Sequence, residues 1–150
     1  MNIDAAFSPD MVQGGAILRT RSGDFVLMMI FKIEALSCEE AELKVMIQAA
    51  EMIMEEGYDD VQVETDAVHS ISTLFNDLGN TTAIQNFRRK ALDRGFCFTH
   101  VYREGNNPVH YLAAHKIHSA KVRFERIDLL PNTIKSAYYA DLFNILSLHF

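Results

Sequence analysis

At Ser37 the spacing of apolar residues changes from period two to period 3.6, and that change makes the chain open with strands and pass from them into a helix. Ahead of it, Ile3 and Ala5 alternate with Asn2 and Asp4 until Pro9-Asp10 breaks the run. Gly14-Gly15 opens a second run, Ala16 to Thr20, and Ser22-Gly23-Asp24 is a turn signal before a strongly apolar third run, Phe25 to Ile33. Two runs joined by a short Gly turn predict an antiparallel hairpin. Beyond Ser37, residues Leu43, Met46, Ile47, Ala50, Ile53 and Met54 keep helical spacing. Ser37 and Glu40 have capping-box spacing and Gly57 supplies the stop, so a helix is expected over 37–56.

Alternation returns from Asp60 to Asp66, with Val61, Val63 and Thr65 on one face and Gln62, Glu64 and Asp66 on the other. A helix over about 67–77, ended by Gly79, precedes another over 82–94, which has Thr82 and Gln85 as a capping pair and Gly95 as its stop. A fifth strand is expected over 96–103. After the turn Gly105-Asn106-Asn107, Pro108 suits the first position of a last helix whose N-cap is Asn107 and which runs to about Ser119. The order β-β-β-α-β-α-α-β-α predicts an α/β fold, a mixed sheet with helices on its faces. Residues 1–120 are expected to form the domain, and the apolar, aromatic tail 121–150 to dock on it as a C-terminal extension.

Length and composition fit this: 150 residues, 49% of them hydrophobic, are enough for one domain with a full core. The longest apolar run, Phe25 to Phe31, falls far short of the roughly 20 residues of a membrane-spanning helix. No basic, then apolar, leader opens the sequence. The two cysteines, Cys38 and Cys97, are too few for a disulfide framework and are read as small buried hydrophobes in a reducing compartment. The expected location is intracellular, cytoplasmic or nuclear. The net charge of −6 is unevenly spread: residues 1–87 hold 4 Lys/Arg against 15 Asp/Glu, whereas residues 88–126 hold 9 against 3. The second segment is a candidate basic patch beside an acidic site, with Arg88-Arg89-Lys90 and Lys116 as candidate phosphate contacts.

Three acids are not explained by surface exposure. Asp4 lies inside an apolar run, Glu42 shares a helix face with Met46, Ala49 and Ile53, and Asp66 ends a strand where a parallel strand hands over to a helix. If the first and fourth strands are neighbours, Asp4 and Asp66 stand side by side and Glu42 reaches them from the helix above. Carboxylates brought within about 4–5 Å repel by roughly 3–4 kcal/mol per pair at an effective dielectric near 20. Such a group must protonate, stay wet or bind cations, and hard oxygen ligands favour Mg²⁺ or Mn²⁺. Two such ions about 3.5–4 Å apart form the clamp used in phosphodiester hydrolysis.

Several strings along the chain, in order, resemble the plant reverse-transcriptase-like, type 1 ribonuclease H domain family. They are Asn2-Ile3-Asp4-Ala5-Ala6-Phe7, Gly14-Gly15-Ala16-Ile17-Leu18-Arg19, Ser22-Gly23-Asp24-Phe25, Glu40-Ala41-Glu42-Leu43, Val63-Glu64-Thr65-Asp66, and His100-Val101-Tyr102-Arg103-Glu104-Gly105-Asn106. The resemblance implies a ribonuclease H-like fold with a five-stranded mixed sheet in the order 3-2-1-4-5. It implies hydrolysis of the RNA strand of RNA/DNA hybrids by two Mg²⁺ (or Mn²⁺) ions. On this resemblance Asp4, Glu42 and Asp66 are the metal ligands, His100 is the histidine of the last strand, and Arg103 and Asn106 join the nucleic-acid contacts. The family's fourth acid falls on His110, preceded by Val109 where the family has alanine, and its Asp-Gly start is Asp4-Ala5. A neutral imidazole brings no negative charge and suits Mg²⁺ poorly. The expectation is therefore a weak RNA/DNA-hybrid or RNA binder whose hydrolysis is impaired at His110. The alternative is a non-catalytic ribonuclease H-like module acting through a protein partner.

Overall fold

The computed structural model describes residues 1–78 and 80–148, with side chains through residue 142. Three antiparallel strands open the chain: β1 (Asn2–Ser8), β2 (Met11–Arg19) and β3 (Phe25–Lys32). The helix α1 (Cys38–Glu55) follows, with the Ser37 hydroxyl accepting from the Glu40 N–H as the capping box requires. Next come β4 (Gln62–Thr65), α2 (Val68–Leu74), α3 (Thr82–Asp93), β5 (Cys97–His100), a 3₁₀ turn (Arg103–Asn106) and α4 (Asn107–Ala114). The chain ends in β6 (Lys121–Phe124), a second 3₁₀ turn (Ile127–Leu129) and α5 (Asn132–Leu148).

The sheet runs β5-β4-β1-β2-β3-β6, with β1 parallel to β4 and β4 parallel to β5. This contains the expected order 3-2-1-4-5, but the sheet has six strands, not five. The sixth, β6, pairs antiparallel with β3 from Phe31↔Lys121 to Met28↔Phe124. Lys-Val-Arg-Phe alternates, yet four residues are too few to stand out as a strand. Other expectations shift by a residue or more. Thr81, not Thr82, caps α3, its hydroxyl accepting from the Ile84 N–H. The cap position of α4 is Asn106, not Asn107, and the helix stops at Ala114 rather than near Ser119. β5 ends at His100, because after Val101 donates to Thr65 the chain turns into the 3₁₀ segment. α2 ends at Leu74; its expected stop, Gly79, lies outside the described residues. Cys38 and Cys97 are exposed rather than buried, since each opens its element at the surface.

The sheet separates two cores. On one face Ile3, Leu27, Met29 and Phe31 meet Val45, Met46, Ala49 and Ile53 of α1, with α2 and α3 beyond. On the other, Ile17, Met28 and Ile30 meet Val109 and Leu112 of α4 and Ile134 and Tyr138 of α5. Two consecutive glycines of β2 let helices approach both faces. A Cβ on Gly14 would come 2.6 Å from Val45 Cγ2 of α1, and one on Gly15 would come 2.9 Å from the Ala113 nitrogen of α4.

Candidate metal centre

The parallel pairing of β1 and β4 places Asn2 opposite Glu64, so two residues on, Asp4 stands level with Asp66. Asp66 follows the last residue of β4, and its turn is held by the Ala67 N–H donating to the Thr65 hydroxyl at 3.0 Å. Glu42 sits in the second turn of α1, brought in because Met46, Ala49 and Ile53 on its face are fully buried against the sheet. One carboxylate oxygen from each of Asp4, Glu42 and Asp66 lies within 4.8 Å of the others. The three acids singled out by their register therefore meet.

Asp4 is 4% exposed, while Glu42 and Asp66 are half-buried. Burial, and then the charges of Asp4 and Asp66, push the Glu42 carboxyl up to about 8. Asp4 is also pushed upward, first by burial and then by the Asp66 charge, against a downward pull from its hydrogen bond with His110. Glu42 Oε2 is buried without a hydrogen-bond partner among the described residues. An all-oxygen donor set of three clustered carboxylates with an unpaired buried oxygen is what a hard divalent cation neutralises, so the residues fit Mg²⁺ or Mn²⁺.

His110 reaches the same place from α4, its Nδ1 lying 2.9 Å from Asp4 Oδ2. Both ends of α4 are pinned. At its start the buried Asn106 donates to the Ile3 carbonyl at 2.9 Å and accepts from the Asn2 amide at 3.1 Å. At its end the fully buried Gln13 donates to the Ala113 and His115 carbonyls and accepts from the Ile117 N–H at 3.0 Å. Held between β1 and β2, the helix has one turn over Asp4. Sequence reading missed Gln13 and assigned Asn106 another role; Gln13 is a polar residue in an apolar strand, the same signal that marked Asp4.

The other candidates are dispersed. His100 ends β5 opposite Thr65, is exposed, and packs its ring edge-on to Tyr102 at 5.5 Å. It is outside the carboxylate cluster. Arg88 is committed to the Asp77 carboxylate at 2.7 Å and the Leu74 carbonyl at 3.2 Å, tying α3 to the end of α2. Asn106, expected at the nucleic acid, is 1% exposed and spends its side chain on β1. Arg89 and Lys90 are exposed on α3, and Arg103 on the 3₁₀ turn. Lys116 is exposed in a cleft between the β1–β2 turn and α1. Cys38, exposed one turn before Glu42, feels the centre's field: slight desolvation at the start of α1 and the charges of Glu42, Asp4, Glu39 and Asp66 push its thiol up.

A family model described as reverse transcriptase-like matches residues 2–116. Two solved structures share the fold. Ribonuclease H1 from the halophilic archaeon Halobacterium salinarum NRC-1 superposes with a TM-score of 0.61 at 21% identity, over 75% of this chain and 92% of that one. LC11 ribonuclease H1 in complex with an RNA/DNA hybrid gives 0.58 at 18%, over 74% and 90%. No curated protein matches the chain.

Proposed function

Because the chain belongs to the reverse transcriptase-like family and has the ribonuclease H1 fold, we propose that it is a ribonuclease H-like protein for metal-dependent hydrolysis of the RNA strand of RNA/DNA hybrids, impaired at His110. The observation that carries the proposal is the meeting of Asp4, Glu42 and Asp66 within 4.8 Å. Asp4, Glu42 and Asp66 would hold the cation, Mg²⁺ or Mn²⁺. When bound, the ions supply charge neutralisation at the phosphodiester and an activated water. Glu42, held at about 8, would have to give up its proton for a cation to be held there. Asp4 reaches the centre from β1 and faces both Asp66 and α4. His110 holds Asp4 Oδ2 by a hydrogen bond and brings no negative charge where the family resemblance places a fourth acid. The water-activating side is therefore the weaker one. Exposed Arg89, Lys90 and Arg103 are left to meet phosphates. A cleavage assay on a labelled RNA/DNA hybrid, with Mg²⁺ and then Mn²⁺, tests the reading. Weak cleavage with Mg²⁺ and more with Mn²⁺ supports it, since Mn²⁺ accepts nitrogen ligands better.

The 2.9 Å His110–Asp4 contact also favours a second reading, a non-catalytic module of the same fold that works through a protein partner. It predicts no cleavage with either ion from folded protein.

A further inference from the structure

Residues 117–150 lie beyond the family match, and α5 among them builds something the matched part lacks: a groove of about 660 Å³ between α4 and α5. Glu104, Asn107 and Tyr111 form one wall, and Thr133, Ser136 and Asp141 stand on the other. Among the described residues no Lys side chain lines it, and no Arg. Asp141 is neutralised by Arg19 at 3.2 Å, whereas Glu104 makes no ion pair or side-chain hydrogen bond among the described residues. The groove is therefore left negative, and a phosphate backbone would be repelled from it. One uncommitted carboxylate is too few to cage a divalent ion. Tyr111 lines the groove and is 54% exposed, an aromatic side chain of the kind on which a guanidinium or ammonium stacks. Asn107, Thr133 and Ser136 add amide and hydroxyl groups able to pair with a peptide backbone.

From this charge complementarity we propose that the α4–α5 groove binds an Arg- or Lys-bearing segment of a protein partner, with the cation between Glu104 and Tyr111. The segment would sit on the helix that carries His110 without using Asp4, Glu42 or Asp66.

The test is an amide-shift titration of the full chain, with saturating Mg²⁺ present to occupy the carboxylate cluster. The probe is a capped Gly-Arg-Gly-Arg-Gly peptide, compared with the same peptide carrying uncharged citrulline in place of arginine. Shifts should centre on Asn107, Tyr111, Thr133 and Ser136 and vanish with the citrulline peptide. Glu104→Gln and Tyr111→Leu should each weaken binding about two- to fivefold. Both replace exposed side chains, so the variants' spectra should keep their dispersion. Absence of binding overturns the proposal, as does unchanged affinity in Glu104→Gln. So do shifts centred on Asp4 and Glu42, equal perturbation of the groove by single-stranded RNA, or groove shifts that track self-association of the chain.

Discussion

A carboxyl group held at about 8 carries a proton at neutral pH unless a cation replaces it, and Glu42 is such a group. Its ordinary value is 4.5, so between 4.5 and about 8 the folded chain binds a proton that the unfolded chain has released. Stability falls as pH rises wherever the folded state holds more protons. Glu42 and, in the same direction, Asp4 therefore stabilise the metal-free protein at low pH and lose that contribution as pH climbs through the folded value. The melting temperature in chelator should fall from about pH 5 to 8, and Mn²⁺ or Mg²⁺ should restore it most at the upper end. Glu42→Gln should flatten the slope; a flat profile in the unsubstituted protein would refute the account. His110→Asp puts a negative oxygen beside Asp4. It should raise Mg²⁺-dependent hybrid cleavage on the order of tenfold or more, and lower the melting temperature in chelator because a further carboxylate joins the cluster. Asp4→Asn should take any cleavage below detection. If the unsubstituted protein already cleaves efficiently with Mg²⁺, His110 is not the impairing residue. At this scale Asp4 and Glu42 were legible because each interrupts an apolar pattern, and Asp66 because it ends a strand that hands over to a helix. His110 was legible only through the family resemblance, since a lone histidine on a helix carries no signal of its own.

The helix α4 delivers His110, and its height over the sheet is set by Gly15. A methyl there would meet the Ala113 backbone at 2.9 Å, and backbone cannot rotate away as a side chain can. Gly15→Ala should cost about 1–3 kcal/mol of stability by overpacking and lift α4 from Asp4. Denaturant unfolding and the Mn²⁺-dependence of the melting temperature would read the two effects. A variant as stable as the parent would show that α4 shifts freely. The same helix shows why boundaries were less legible than elements. Pro108 and the Asn pair marked a helix start correctly, but Asn106 rather than Asn107 took the cap position. Its side chain is claimed by Ile3 and Asn2, more than a hundred residues away in sequence, which no local pattern encodes. α1 had no such competitor: its cap, apolar stripe and glycine stop are all local, and its bounds were read to within a residue. β6 depends on β3 already being in place, so its pairing too was invisible locally.

Over the whole molecule, charge counted along the chain is not charge presented in space. The basic surplus of residues 88–126 is largely answered by acids that the fold brings to it. Arg88 pairs with Asp77, Arg94 with Asp59, Arg123 with Glu56 and Glu125, and Arg126 with Asp128. Three of those acids, Glu56, Asp59 and Asp77, belong to the acidic first half of the sequence, so folding cancels across the very boundary that the linear count drew. The exposed cations without such a partner among the described residues include Arg89, Lys90, Arg103 and Lys116, and they sit on α3, the 3₁₀ turn and the loop after α4. A duplex laid across the carboxylates would engage only those that share its side, about two or three at once. Each phosphate neutralised contributes close to one unit to the slope of log affinity against log salt. Hybrid binding should therefore be weak, with a slope no steeper than about −3, and Arg89→Ala with Lys90→Ala should reduce the slope rather than only the affinity. Fluorescence anisotropy of a labelled hybrid over a salt series measures both. A slope near −6 would mean that the paired arginines are released to the nucleic acid. No binding at low salt would remove the basis for hybrid hydrolysis and leave the protein-partner reading.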